Sequence, residues 1–118
     1  MPLEVWTARI STRDPDAMNT TRKSGHKEFA PSWALLGPML DIRKAGMEPS
    51  DTEWKVYVTR YLKERTLSRK RNRAVWDALL ARRRVVLTCY CTNPNRCHRR
   101  ILARILAQLG ALDHGELE

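Results

Sequence analysis

Several things this sequence does not contain narrow its identity. No apolar run approaches the ~18 residues of a membrane span, so a membrane protein is not expected. The opening Met1-Pro2-Leu3-Glu4 shows no basic region followed by an apolar stretch. A secretory leader is therefore not expected, and the setting is read as cytoplasmic. Cysteines number only three. An odd, small count argues against a secreted disulfide scaffold and for a reducing compartment. Internal repeats and domain linkers are missing, and the composition is not that of a collagenous or coiled-coil rod.

What is present is a chain of 118 residues, 42 % hydrophobic and 30 % charged, enough for one core and read as a single domain over 1–118. The net charge of +9 is unevenly spread. Residues 60–104 carry fourteen basic side chains against only Glu64 and Asp77, while the rest of the chain has eight basic and eleven acidic residues. Clustered charge of one sign concentrates anionic partners, so a nucleotide, a nucleic acid or a phosphorylated small molecule is the expected ligand class.

Leu3 to Ile10 reads as a strand, stopped by Asp14-Pro15-Asp16. Residues 11–30 are polar and read as a long loop, a length that is often functional. Ser32 is a candidate N-cap for a helix from Trp33, with Gly37-Pro38 expected to interrupt it. Ser50 and Glu53 fit a capping box for a second helix ending near Thr66. Its Trp54, Tyr57, Val58, Tyr61 and Leu62 form a buried stripe. Leu67 to Arg73 reads as a basic connection. A third helix carries Val75, Trp76, Leu79 and Leu80 and closes on Arg82-Arg83-Arg84. Val85 to Cys91 is the best strand, nearly continuous in apolar and β-branched residues. A turn at 92–95 leads into a last helix from Cys97 to Leu109, ended by Gly110. The 113–116 tail can dock as a further strand. The fold class is α/β: a small helix-rich domain with a short, mostly parallel sheet of two to three strands, a fragment of a Rossmann-like layer.

The chemistry concentrates at Cys89-Tyr90-Cys91-Thr92-Asn93-Pro94-Asn95-Arg96-Cys97-His98-Arg99-Arg100, where all three cysteines and one of three histidines fall together. Alternation along a strand points Cys89 and Cys91 the same way. Ligands of open α/β sheets bind beyond the carboxyl ends of strands, where the next helix offers free N–H groups. One reading is an anion site: Arg99 and the helix amides hold phosphate, helped by Arg96, and His98 transfers protons. A second makes Cys97 or Cys91 a thiolate nucleophile. A third has Cys89 or Cys91, with Cys97 and His98, binding zinc, the fourth ligand coming from His26 or His114, in a zinc-stabilised structural or interaction domain. The bland alternative is a small core cysteine at Cys89 and a hydrogen-bonded His98. Thr21, Arg22 and Lys23 form a loop suited to phosphate, and with Arg9 they are expected to close the pocket. The expected catalytic set is His98, Cys97 and Cys89. Arg69, Arg71 and Arg73 suit a nucleic-acid backbone, so a non-catalytic binding module is the alternative to an enzyme. Tyr57, Trp33 and Trp54 are expected in the core.

The run Leu87-Thr88-Cys89-Tyr90-Cys91 followed by Cys97-His98-Arg99 resembles the C-terminal signature of domain-of-unknown-function family 488. Trp6 to Ile10, Thr21 to Gly25, Phe29 to Trp33 and the closing Gly115-Glu116 are similar to further short stretches of that family. The resemblance implies a small α/β protein of bacterial, archaeal or phage origin and maps onto Cys89, Cys97, His98 and Arg99. Cys91 stands where many relatives carry an acidic residue. Similar cysteine and Cys-His runs in other small phage and bacterial families point toward nucleotide or nucleic-acid metabolism. The resemblance supplies no reaction.

Overall fold

A computed structural model describes residues 1–117 of the chain; Glu118 lies outside the described residues. Strand β1 (Glu4–Arg9) is followed by the short β2 (Ala17–Asn19) and three helices, α1 (Trp33–Lys44), α2 (Asp51–Arg71) and α3 (Arg73–Leu80). Then come β3 (Arg84–Cys89), a 3-10 turn at Pro94–Arg96, α4 (His98–Gln108) and β4 (Leu112–Glu116). The sheet runs β2-β3-β1-β4, and each of its pairings is parallel. It has four strands rather than two or three. The added strand, β2, lies inside the stretch read as loop. Three residues are too few to show alternation, and what makes them a strand is distant: β2 pairs with β3, and the Thr88 hydroxyl donates to the Met18 carbonyl at 3.2 Å. The 113–116 tail does dock, against β1, as β4.

The helices depart from the sequence reading in three places. α1 passes straight through Gly37-Pro38. Proline removes the hydrogen bond to the residue four back, which is Ala34, and Ala34 lies on the exposed side of the helix. α2 continues past Thr66 through the supposed connection to Arg71 and yields to α3 at Asn72. Leu, Arg and Lys are good helix formers, so nothing in 67–71 stops the helix. Ser50 closes the expected capping box with Glu53. α3 ends at Leu80, before the arginines; Arg84 opens β3 and pairs with Asp14 and Asp16. β3 ends at Cys89, so Cys91 is already in the turn. Gly110 ends α4 with φ of 108°.

The core lies between the sheet and the helices. Val5, Val85 and Leu87 from β1 and β3 meet Leu102 and Leu106 of α4. Phe29, Tyr61 and Trp76 complete it: Phe29 meets Trp76 edge-on at 4.8 Å, and the Tyr61 hydroxyl donates to the Phe29 carbonyl at 2.6 Å. Tyr57 is buried and Trp54 is packed partly against the core, as expected. Trp33 is not: it is 56 % exposed, because the first residue of α1 projects past the helix's buried face of Leu35 and Met39. Among the described residues no helix is long and apolar enough to cross a membrane. Leu87→Ala, emptying a fully buried position on a central strand, is expected to cost about 2–5 kcal/mol in urea unfolding.

Candidate functional site

A cleft of about 590 Å³ opens beside the carboxyl end of β3. One wall is the 20–25 loop, a second is the face of α1, and the floor is the turn from β3 into α4. The loop is wound around Asn19. The Asn19 carboxamide oxygen accepts from the Thr21 amide at 2.9 Å and the Thr21 hydroxyl at 2.7 Å, and its carbonyl accepts from the His26 amide at 2.8 Å. Gly25 passes so close that an added Cβ would lie 2.3 Å from the Asn19 carbonyl oxygen, so only glycine fits. The Ser24 and Tyr90 hydroxyls, 3.1 Å apart, join this loop to the β3 turn.

Of the residues singled out from sequence, Thr21, Arg22, Lys23, Cys89, Cys91, Arg96, Cys97 and His98 do line this cleft. Their availability differs. Arg22 donates to the Pro31 carbonyl at 2.8 Å and so braces the loop. Lys23 is exposed. Arg96 pairs with Asp51 and lies over the Trp54 ring at 5.6 Å. Arg9 is exposed at the end of β1, outside the cleft lining. Arg99 is not in the lining either. It is fully buried beneath the floor, where Nε and Nη2 grip the Glu116 carboxylate at 3.1 and 2.6 Å. Its Nη1 donates to the Cys91 carbonyl at 2.8 Å and to the Cys89 sulfur at 3.2 Å, with the Cys97 sulfur at 3.5 Å. Burial would raise the Glu116 carboxyl, but donation from Arg99 and Thr7 holds it below the usual range.

The three sulfurs lie within 4.8 Å of one another, close enough to share a metal ion. Cys89 and Cys97 are joined as a disulfide, which leaves Cys91 as the free cysteine, yet their Cα atoms are 7.9 Å apart. Disulfides usually span about 4.4–6.8 Å, so a relaxed bridge here requires backbone movement. Neither proposed distant zinc ligand joins the cluster: His26 is exposed, and His114 stacks on Trp6 and meets Glu4 at 3.1 Å.

His98 sits at the first turn of α4 and is buried. Its Nε2 is 3.0 Å from both the Thr20 hydroxyl and the Thr20 carbonyl. The carbonyl only accepts, and the hydroxyl already donates to the Thr88 carbonyl at 2.8 Å, so Nε2 carries the proton. Nδ1 then keeps a free lone pair, 4.0 Å from the Cys97 sulfur. Burial, with Arg65, Arg99 and Arg43 nearby, lowers the imidazolium from 6.5 to about 4 against the opposing bond to Thr20. At neutral pH the ring is neutral, able to accept a proton at Nδ1 but not to supply one.

Sequence reasoning did not single out Arg43, Tyr90 or the role of Glu116. Arg43, in the last turn of α1, donates to the Cys91 sulfur at 3.0 Å and to the Arg96 carbonyl at 2.8 Å. Nothing local marks it, because its partners are about fifty residues away. Glu116 was within reach: a buried arginine needs a counter-charge, and Gly115-Glu116 already stood in the resemblance.

Glu116→Ala would leave Arg99 buried without its carboxylate, and is expected to destabilise by about 3 kcal/mol or more in chemical denaturation. His98 gives a pH dependence of known sign. Its folded pKa lies below its unfolded one, so acid protonates the unfolded chain first. Its stabilisation is complete above about 6.5 and is lost progressively as pH falls toward about 4, some 3 kcal/mol in all. Urea unfolding across that window should show a slope that His98→Gln removes.

Neither the curated proteins nor the solved structures contain a match to this chain. A family model does match, the one described as the active DUF488-N3 subclade, over residues 2–110. That span takes in β1, the loop around Asn19, the three cysteines and the Cys97-His98-Arg99 start of α4. On that match the chain belongs to the DUF488 family.

Proposed function

We propose that the cleft binds, and acts on, an anionic ligand of the nucleotide class: a nucleotide, a nucleic-acid terminus or another phosphorylated molecule, met in the cytoplasm. One observation carries this reading. A cavity in the size range of small-molecule sites combines Arg22, Lys23, Arg43 and Arg96 with Trp33, Tyr57 and Tyr90. Cations suit a phosphate, and an aromatic rim suits a flat ring. The uncapped N-terminus of α4 adds backbone N–H groups to the same end. Neutral His98, with its open Nδ1, suits a general base, and Cys97 and Cys89 supply sulfur beside it. Arg99 contributes through the groups it orients, its charge being matched by Glu116.

A binding module driven by the α2–α3 arginines is the competing reading. Arg71, Arg73, Arg82 and Arg83 are exposed and would track a phosphate backbone. The zinc reading rests on the three converging sulfurs and predicts a melting temperature that drops on chelation.

Calorimetry with inorganic phosphate and a nucleoside monophosphate separates these readings. Lys23→Ala with Arg22→Ala should weaken nucleotide binding by about a hundredfold or more, since a charge-assisted bond is worth about 1.5–3 kcal/mol and two are removed. Substituting Arg71, Arg73, Arg82 and Arg83 should leave it unchanged. The reverse pattern, with steep salt dependence, would replace the cleft by the helical surface.

A further inference from the structure

We propose that Cys91 is the reactive thiol of this cleft, a nucleophile set for thiol–disulfide exchange with an anionic disulfide, with Cys97 behind it to complete the exchange. The anionic preference rests on the cleft reading above; the thiol assignment stands on its own geometry.

The three sulfurs differ in access. Cys89 and Cys97 are each 1 % exposed, whereas Cys91 is half-buried and lines the cleft. They differ also in their cations. Arg99 lies under Cys89 and Cys97 and is already held by Glu116. Cys91 has Arg43 to itself: Nη1 donates to the sulfur at 3.0 Å while Nη2 is anchored on the Arg96 carbonyl at 2.8 Å. The donated N–H gives the sulfur a charge-assisted partner on the side away from an incoming disulfide. The Cys91 backbone is fixed as well, its carbonyl accepting from Arg99 at 2.8 Å. The sequence reading favoured Cys97 and Cys89 for catalysis; their burial puts them behind the sulfur that a ligand meets.

The exchange balances without metal or cofactor. The Cys91 thiolate attacks one sulfur of a small disulfide, that S–S bond breaks, a mixed disulfide forms, and one thiolate leaves with the bonding electrons. In the reduced chain, where a small thiol has first opened the Cys89–Cys97 bridge and left as its own disulfide, Cys97, within 4.8 Å, then attacks the Cys91 sulfur as its proton passes to the departing thiolate. A protein disulfide forms and the second small thiol is released. One external disulfide is reduced, and one protein dithiol is oxidised.

The test uses the pre-reduced full chain in stopped flow, with a carboxylate-bearing aromatic disulfide, a neutral pyridyl disulfide, and each again in the presence of a chelator. The expected result is one fast phase, mapped to Cys91 by mass spectrometry and faster with the anionic reagent. Cys91→Ser should abolish it. Arg43→Gln should slow it about tenfold or more, with partial recovery in Arg43→Lys. Circular dichroism of each variant separates loss of chemistry from loss of fold, and the Arg43→Lys comparison keeps the test open should Arg43→Gln unfold. A fast phase that persists in Cys91→Ser, or ignores Arg43→Gln in a folded protein, overturns the assignment. Reaction seen only after chelation overturns it in favour of a bound metal. Phosphate calorimetry reports on the cleft reading alone, so either can fail without the other.

Discussion

A guanidinium with no solvent exposure must be paid for by its surroundings, and the site is organised around that requirement. Arg99 enters on the first turn of α4 and ends among Glu116 from β4, the Cys91 carbonyl of the turn after β3, and the sulfurs of Cys89 and Cys97. Two of its nitrogens go to Glu116, and the third serves the turn and the sulfurs. The bidentate grip on Glu116 fixes the angle of the plane, and the third nitrogen then sets where the β3 turn passes. Thr7 of β1 donates to the same carboxylate at 2.6 Å, so the central strand is tied in too. The cysteines meet where they do because this one cation gathers the segments that carry them.

The adjoining Arg100 repeats the device on the other side. It grips Asp113 of β4 at 2.8 and 3.0 Å and reaches the Thr7 hydroxyl at 3.3 Å. Arg84 does the same for the start of β3, with Asp14 and Asp16. The basic excess of 60–104 is thus partly answered by carboxylates from the other segments. Charge separated along the sequence becomes neighbouring charge in the fold, and a count of basic residues overstates what is left for an outside partner.

This explains which features could be read in advance. β1, β3, the α2 capping box and the last helix are local patterns, and each is present in the structure, β3 ending two residues short of Cys91. The cluster of Cys89, Cys97 and His98 was visible because the turn between β3 and α4 is short. β2 was hidden because three residues owe their conformation to β3. Arg99 was misjudged for a similar reason: an arginine at a helix start resembles an anion ligand until the strand carrying its carboxylate is in place. Arg43 and the cleft itself were invisible, since they exist only once α1 lies against the β3 turn.

Residues 112 and 4 are neighbours in the sheet though they lie at opposite ends of the chain. During synthesis Arg99 leaves the ribosome before Glu116 and Asp113, so for that interval two arginines of α4 have no carboxylate to hold. The turn carrying Cys91 and Cys97 then has Arg43 to hold it but not yet an Arg99 fixed by its carboxylate. Docking of β4 therefore supplies the counter-charges of Arg99 and Arg100 together, and the site's floor is completed by the strand that is made last.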